Sequence, residues 1–125
     1  MATPEQTTLH TPQQTREQQR AQRAYQQVEN HRDKEREAEY KRFCKRFPAL
    51  IQSCGLVQAI AFAQAKLPDY LNDLAAVTGQ ENHETLAQQT RTAPLNQYQK
   101  HSQDALAAAT WLKRYAEALL KGDET

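Results

Sequence analysis

The sequence predicts an all-α protein: a compact single-domain helical bundle of about five or six helices around a central apolar helix. Apolar residues recur at spacings of three and four along most of the chain, and no stretch shows the alternation that is typical of a half-buried strand. A chain of 125 residues, 38% hydrophobic and 25% charged, is sufficient for one modest core. We expect a flexible N-terminal tail (1–14), one helical domain (15–122) and a C-terminal tail (123–125).

The first helix is expected to begin at about Thr15. Its buried stripe is formed by Ala21, Ala24, Tyr25 and Val28. The stripe disappears over the charged residues 30–37 and then resumes, which leaves two interpretations: one long helix whose middle lies in water, or two helices with a break near Asn30–Asp33. Ion pairs such as Asp33–Arg36 support the first by only about 0.2–0.5 kcal/mol each. We favour one long helix that ends at Phe47, because a residue before proline avoids the α conformation.

The central apolar helix is expected within residues 47–66, the longest apolar-rich segment. Pro48 suits the first position of a helix, where a missing N–H costs nothing. Gly55 suits a helix end that needs a left-handed residue. The run that follows, Leu56–Lys66, is apolar around most of its circumference, so we expect it to be buried on several sides.

Two further helices and one ambiguous segment complete the chain. Pro68 and Gly79 bracket a short amphipathic helix, and residues 80–93 are expected to form a short helix or a mobile loop. Pro94 begins the last helix and Gly122 ends it. Its seam is formed by Leu95, Tyr98, Ser102, Ala105, Ala109, Leu112, Ala116 and Leu119. Trp111 lies beside this seam and is predicted to anchor the helix against Ile60 or Phe62.

The sequence offers no catalytic residue, metal site or cofactor site. His83-Glu84 resembles the start of a zinc-binding helix, but Ala87 stands where the second histidine is needed. Cys44 and Cys54 have no metal-like spacing and are expected to be reduced. There is no glycine-rich phosphate loop and no G-x-S-x-G motif. The N-terminus lacks a secretory signal, and no run approaches about 18 apolar residues, so we predict a cytoplasmic protein without membrane contact.

One patch has a specific chemical character, the segment YKRFCKRF from Tyr40 to Phe47, in which four cations and three aromatics interleave. The nearest carboxylates, Glu37 and Glu39, have the spacing to pair with Lys41 and Arg42. Lys45 and Arg46 have no carboxylate within one turn along the chain. Either this is an ordinary amphipathic helix end, or its excess of cations contacts phosphates.

Three segments in order resemble the small α-helical subunit of the type III-B CRISPR effector, the Cmr complex. They are YKRFCKRF, then FPALIQSCGLVQAIAF (47–62), then WLKRYAEA (111–118). The resemblance covers roughly residues 20–120, and Cys54 stands where the family has asparagine. It implies a non-catalytic subunit, present in several copies, that packs beside backbone subunits and lines the channel for the guide RNA/target RNA duplex. The basic face is then predicted to consist of Arg20, Arg23, Lys41, Arg42, Lys45, Arg46, Lys113 and Arg114.

Two alternatives to this function remain open. One is a helical protein–protein adaptor whose basic face is merely solvated. The other is a free-standing helix-turn-helix-like nucleic-acid binder that uses the turn at Gly55. The second is disfavoured because the helix after Gly55 is apolar nearly all round and offers little to base edges.

Overall fold

The computed structural model describes residues 14–122, and this part of the chain forms six α-helices and no strand. The helices are α1 (Arg16–Glu29), α2 (Glu37–Cys54), α3 (Leu56–Lys66), α4 (Pro68–Thr78), α5 (His83–Thr92) and α6 (Leu95–Leu119). The predicted all-α class is therefore confirmed. The tail predictions for residues 1–13 and 123–125 lie outside the described residues. No helix between residues 14 and 122 is both long and apolar enough to cross a membrane.

The core lies between α6 and the three helices that pack along it, α1, α2 and α4. Small residues of α6 permit this close approach: Ala105, Ala108 and Ala109 are buried. The predicted seam residues between Ala105 and Ala116 are buried, but Leu95 at the start of the seam is 73% exposed. The apolar helix α3 contributes Leu56, Ala59, Ile60 and Ala63 to the core. Its opposite side is exposed, so the expectation of burial on several sides is wrong.

Residues 30–36 break the chain into two helices, and the favoured single long helix is wrong. Thr15 caps α1 through a capping box with Gln18. In the connection, Asp33 adopts a positive φ of 58°, and its N–H donates to Glu37 Oε1 at 3.2 Å. A continuous helix would have had to hold this charged segment in water on weak ion pairs alone. The break instead lets α1 and α2 each pack along α6.

Pro48 lies inside α2, so the predicted helix end at Phe47 and the helix start at Pro48 are both wrong. A proline in a helix interior costs about 3 kcal/mol. Continuing the helix buries Ile51 as well as Phe47 on one face, and each such side chain contributes about 1.5–3 kcal/mol. The helix ends at Cys54, and its C-cap is Gly55, whose φ of 86° and ψ of 161° suit glycine as predicted, although the conformation is not the left-handed helical one.

The remaining boundaries follow the sequence signals closely. Pro68 begins α4, and Gly79 ends it in the left-handed helical conformation. The ambiguous segment is a helix, α5, because the Asn82 side chain accepts a hydrogen bond from the Thr85 N–H at 2.8 Å and caps its start. Pro94 caps α6, which ends at Leu119, three residues before Gly122.

Candidate nucleic-acid interface

The predicted basic patch lies on α2, and the helix separates its aromatic residues from its arginines. Phe43 and Phe47 are buried against the core. Arg42 and Arg46, one turn apart, are exposed on the outer side, and Lys45 is half-buried. We call Arg42, Lys45 and Arg46 the α2 basic surface. Because the aromatic side is fixed in the core, the two guanidinium groups point to solvent from a rigid helix.

Lys41 does not belong to this surface, which corrects the prediction for that residue. Its side chain is buried, and its Nζ donates a hydrogen bond to the Gly122 carbonyl oxygen at 3.1 Å. At about 100° per residue, position 41 falls on the side of α2 that packs against the end of α6. Lys41 therefore joins α2 to the segment after α6.

The carboxylates near the patch are held by other partners. Arg36 donates two hydrogen bonds to Glu39, at 2.7 and 2.9 Å. These bonds are the main reason that the pKa of Glu39 is lowered, and the charge of Arg42 contributes less. Glu37 accepts a hydrogen bond from the Lys121 N–H at 2.9 Å. Within residues 14–122, Arg46 makes no side-chain ion pair, so its charge remains available to a ligand.

An apolar groove of about 460 Å³ runs beside the α2 basic surface. The rings of Phe43 and Phe62 stack in it with centroids 6.0 Å apart and planes 8° apart. Leu50 extends the apolar lining, and Lys45 and Arg46 contribute the charged part. The groove thus places an apolar strip next to the exposed cations.

The other predicted cations lie on α1 and α6 and line different grooves. Arg20 and Arg114 line a groove of about 550 Å³ between these two helices. Arg20 also lines a smaller neighbouring groove together with Arg23. Lys113 is half-buried on α6. The structure therefore does not join the eight predicted cations into a single lining: Lys45 and Arg46 belong to one groove, and Arg20 and Arg114 to another.

Arg20 is already committed to an ion pair inside the protein. Its Nη2 lies 2.9 Å from Asp104 Oδ1, and its side chain is only 23% exposed. Arg16 approaches the same carboxylate at 3.9 Å. Asp104 therefore compensates part of the positive charge on this side of the molecule, which the sequence could not show because the paired residues are 84 positions apart.

Trp111 is half-buried in the α1–α6 groove, so its predicted packing against Ile60 or Phe62 is wrong. Its ring stacks on Tyr115 at 5.6 Å, and Tyr115 meets the ring of Tyr25 edge-on at 5.5 Å. Position 111 is turned by about 100° from the buried Leu112, which directs the indole towards α1. The sequence analysis missed this aromatic row. Tyr25, in the predicted buried stripe of α1, was the residue that could have indicated it.

A buried polar cluster, also missed, ties the α1–α2 connection to α4. Asp73 Oδ2 accepts a hydrogen bond from the Tyr40 hydroxyl and lies 2.8 Å from His31 Nε2. The His31 and Tyr40 rings stack at 3.5 Å. Burial raises the pKa of the neighbouring Cys44 thiol well above its ordinary value, so the thiol stays protonated and is a poor nucleophile. Across residues 14–122, no three histidine, cysteine or carboxylate side chains come together as metal ligands.

The fold and its surface define a class: a small all-α protein with exposed arginines on rigid helices beside two grooves. The family follows from comparison with known proteins. A family model described as CRISPR-associated protein (Cas_Cmr5) matches residues 16–119, which span all six helices. The chain therefore belongs to the Cmr5 family, and the resemblance seen in the sequence is confirmed.

One curated relative and one solved structure support this assignment. The chain is 38% identical over 86 residues to the "CRISPR system Cmr subunit Cmr5" of Thermus thermophilus, which covers 66% of this chain and 75% of the relative. It is also similar to the crystal structure of a CRISPR-associated Cmr5 family protein from Thermus thermophilus, with a TM-score of 0.84 and 37% identity. That match covers 87% of this chain and 100% of the solved chain.

Proposed function

We propose that this chain is a non-catalytic small subunit of an RNA-guided Cmr effector complex and lines its target-RNA channel with the α2 basic surface. Family membership supports the place in the complex, since the relative is named as a Cmr subunit. The observation that carries the RNA contact is the exposed pair Arg42 and Arg46 on the outer side of a helix whose inner side is core.

The geometry of this pair suits phosphates. Two positions four residues apart lie about 6 Å apart along a helix, so their guanidinium groups reach neighbouring points on one extended anion. Arginine donors match phosphate oxygens in pairs. Such contacts hold a nucleic-acid backbone without reading its sequence, which in an RNA-guided complex is the task of base pairing.

A non-catalytic role agrees with the chemistry of the described side chains. The most promising cluster, Asp73 with His31 and Tyr40, holds its carboxylate in a half- to fully buried network between helices. Its neighbouring thiol, Cys44, is buried and protonated. None of these groups faces the grooves described above. The subunit would therefore act by binding and positioning.

The experiment compares two charge-matched double variants assembled into the complex. Arg42→Ala with Arg46→Ala removes two cations from the α2 basic surface, and Lys66→Ala with Arg91→Ala removes two exposed cations from α3 and α5. The first variant should weaken binding similarly for all target sequences and flatten the salt slope by roughly 0.7 per lost phosphate contact. The control should change neither. If both double variants bind target RNA like the unchanged complex, the α2 basic surface is only solvated.

Partners of the subunit are, on this proposal, the guide RNA/target RNA duplex, the backbone subunits and further copies of itself. Alone, the chain should be monomeric or self-associate weakly, because RNA and backbone subunits organise its neighbours. Sedimentation of the isolated chain checks this expectation. A tight dimer that is insensitive to salt would contradict it.

The adaptor without RNA contact is the second candidate, and the apolar groove beside α2 favours it. Phe43, Leu50 and Phe62 offer an apolar strip of the kind that a partner helix uses. Leu50→Glu should then abolish assembly while the Arg42 and Arg46 variant leaves RNA affinity unchanged. The helix-turn-helix interpretation has less support, because the exposed residues Val57 and Ala61 of α3 offer no hydrogen bond to base edges, which leaves Gln58 as the polar residue of its first turn.

A further inference from the structure

An aromatic–arginine row crosses the surface between α1 and α6, on residues that the α2 contact does not use. It consists of Tyr25 from α1 and Tyr115, Trp111 and Arg114 from α6. The row is continuous: the ring centroids follow at 5.5 and 5.6 Å, and the Arg114 guanidinium carbon lies 5.8 Å from the indole centroid. Tyr25 is 40% exposed at one end, and Arg114 is exposed at the other. Both ends therefore present a planar group to solvent.

The surroundings of this row are cationic. Arg16, Arg20 and Arg23 of α1 lie in the two adjoining grooves, together with the carboxylates of Glu17 and Asp104. With Arg114, the linings of the two grooves hold four guanidinium groups and two carboxylates. A further carboxylate, Glu29, lies beside Tyr25 and is paired with Arg32 at 2.8 Å. Asp104 satisfies Arg20 at 2.9 Å, whereas its distance of 3.9 Å to the largely exposed Arg16 leaves that side chain loosely held. The two adjoining grooves together thus keep a positive excess beside the row, contributed by Arg16, Arg23 and Arg114.

We infer that this α1–α6 groove binds an unpaired stretch of RNA, with a base stacked on the Arg114–Trp111 end of the row and arginines of α1 on the flanking phosphates. Unpaired bases stack on aromatic rings and on guanidinium planes alike, and cations track the backbone. The inference rests on the proposed RNA-binding function but concerns a second surface and a different mode of contact.

The composition of the groove favours RNA over a protein partner. Its only large aliphatic lining residue is Leu106, and the rest is arginine, tryptophan, small or polar. An apolar helix docks into a groove that is lined by several large apolar side chains. The apolar groove beside α2 offers Phe43, Leu50 and Phe62, whereas the α1–α6 groove offers only Leu106 and the half-buried Trp111. The cations of the two adjoining grooves complement phosphate, and the planar Arg114–Trp111 end of the row complements a base.

Trp111 is the only tryptophan of the chain, so its emission reports directly on this groove. The probes are oligouridine and an abasic oligonucleotide of the same length, titrated into the full chain. Oligouridine should change the Trp111 emission, because a base joins the stack beside it. The abasic strand carries the same phosphates without a base and should change the emission much less. Equal changes with both probes would contradict stacking.

Variants separate this inference from the proposed function. In the assembled complex, Trp111→Leu should weaken binding of a single-stranded RNA about 5- to 150-fold, the equivalent of about 1–3 kcal/mol for one stacked base, and leave the salt slope unchanged. Trp111→Phe, which keeps a ring, should restore part of the affinity. Arg114→Gln provides a second test at an exposed position where folding is not at risk. The Arg42 and Arg46 double variant should flatten the salt slope and still show the emission change.

Two results would overturn the inference. The first is unchanged RNA affinity in folded Trp111→Leu and Arg114→Gln complexes, together with no emission change in the isolated chain. The second is that the Trp111→Leu and Arg114→Gln chains no longer assemble into the complex, although each isolated chain binds RNA as tightly as the unchanged chain. This result would assign the groove to a protein partner. If only the Arg42 and Arg46 double variant departs from expectation, and its salt slope is unchanged, the proposed RNA contact of the α2 basic surface is contradicted. The emission change of Trp111 would still support the α1–α6 groove.

Discussion

Replacing Lys41 by methionine should destabilise the fold, although the sequence places this residue in a surface patch. Its Nζ donates to the Gly122 carbonyl from a position that is only 4% exposed. A hydrogen bond from a charged group contributes about 1.5–3 kcal/mol, and methionine leaves the carbonyl without this donor. For a chain of this length, that loss lowers the melting temperature by about 5–15 °C. The matched change Arg46→Met removes an exposed cation from the same helix and should stay within about 0.5 kcal/mol.

The assay is thermal and urea unfolding of both variants beside the unchanged chain, followed by circular dichroism. Equal melting temperatures for Lys41→Met and Arg46→Met would refute the buried contact. The result also determines how RNA-binding data are read. A variant that removes Lys41 changes the stability of the chain as well as its charge, so contacts of the α2 basic surface must be tested at Arg42 and Arg46.

Three further results are expected. Gly122→Ala should cost more stability than Gly79→Ala in denaturant unfolding: both glycines have positive φ, which costs an L residue about 1–2 kcal/mol, but only the Cβ at 122 would lie 2.6 Å from another Cβ. Cys44 should react with an alkylating agent far more slowly than the half-buried Cys54, and equal rates would show that the core opens readily. Burial raises the pKa of Cys44, Tyr40 and Tyr70, so their contribution to stability is complete below their unfolded pKa values. Stability should therefore fall as the pH rises above about 9, since the unfolded chain ionises first; a flat profile to strongly alkaline pH would contradict it.

The helices that the sequence predicted well are those whose ends carry their own chemistry. Pro68 and Gly79 bracket α4 because the fixed φ of proline suits a helix start and glycine accepts a positive φ. The errors arose where packing outweighs such signals. Pro48 has the local character of a helix start, but α2 continues through it because Ile51 gains burial on the same face as Phe47.

The candidate interface was predictable in composition and not in arrangement. Residue spacing on one helix places Arg42 and Arg46 outwards, and the structure agrees. The burial of Lys41 depends on where the end of α6 meets α2, a contact between residues 81 positions apart. The pairing of Arg20 with Asp104 and the row from Tyr25 to Trp111 likewise depend on how α1 packs along α6. Periodicity within one helix carries no information about such contacts.

The central claim, that the α2 basic surface meets target RNA, is tested most directly by cross-linking. Target RNA bearing a photoreactive group is cross-linked to the assembled complex, and the attached peptides of this chain are identified by mass spectrometry. We expect cross-links around Arg42, Lys45 and Arg46, and their loss in the Arg42→Ala, Arg46→Ala variant. Cross-links confined to other helices of this chain, or an unchanged pattern in that variant, would contradict the claim.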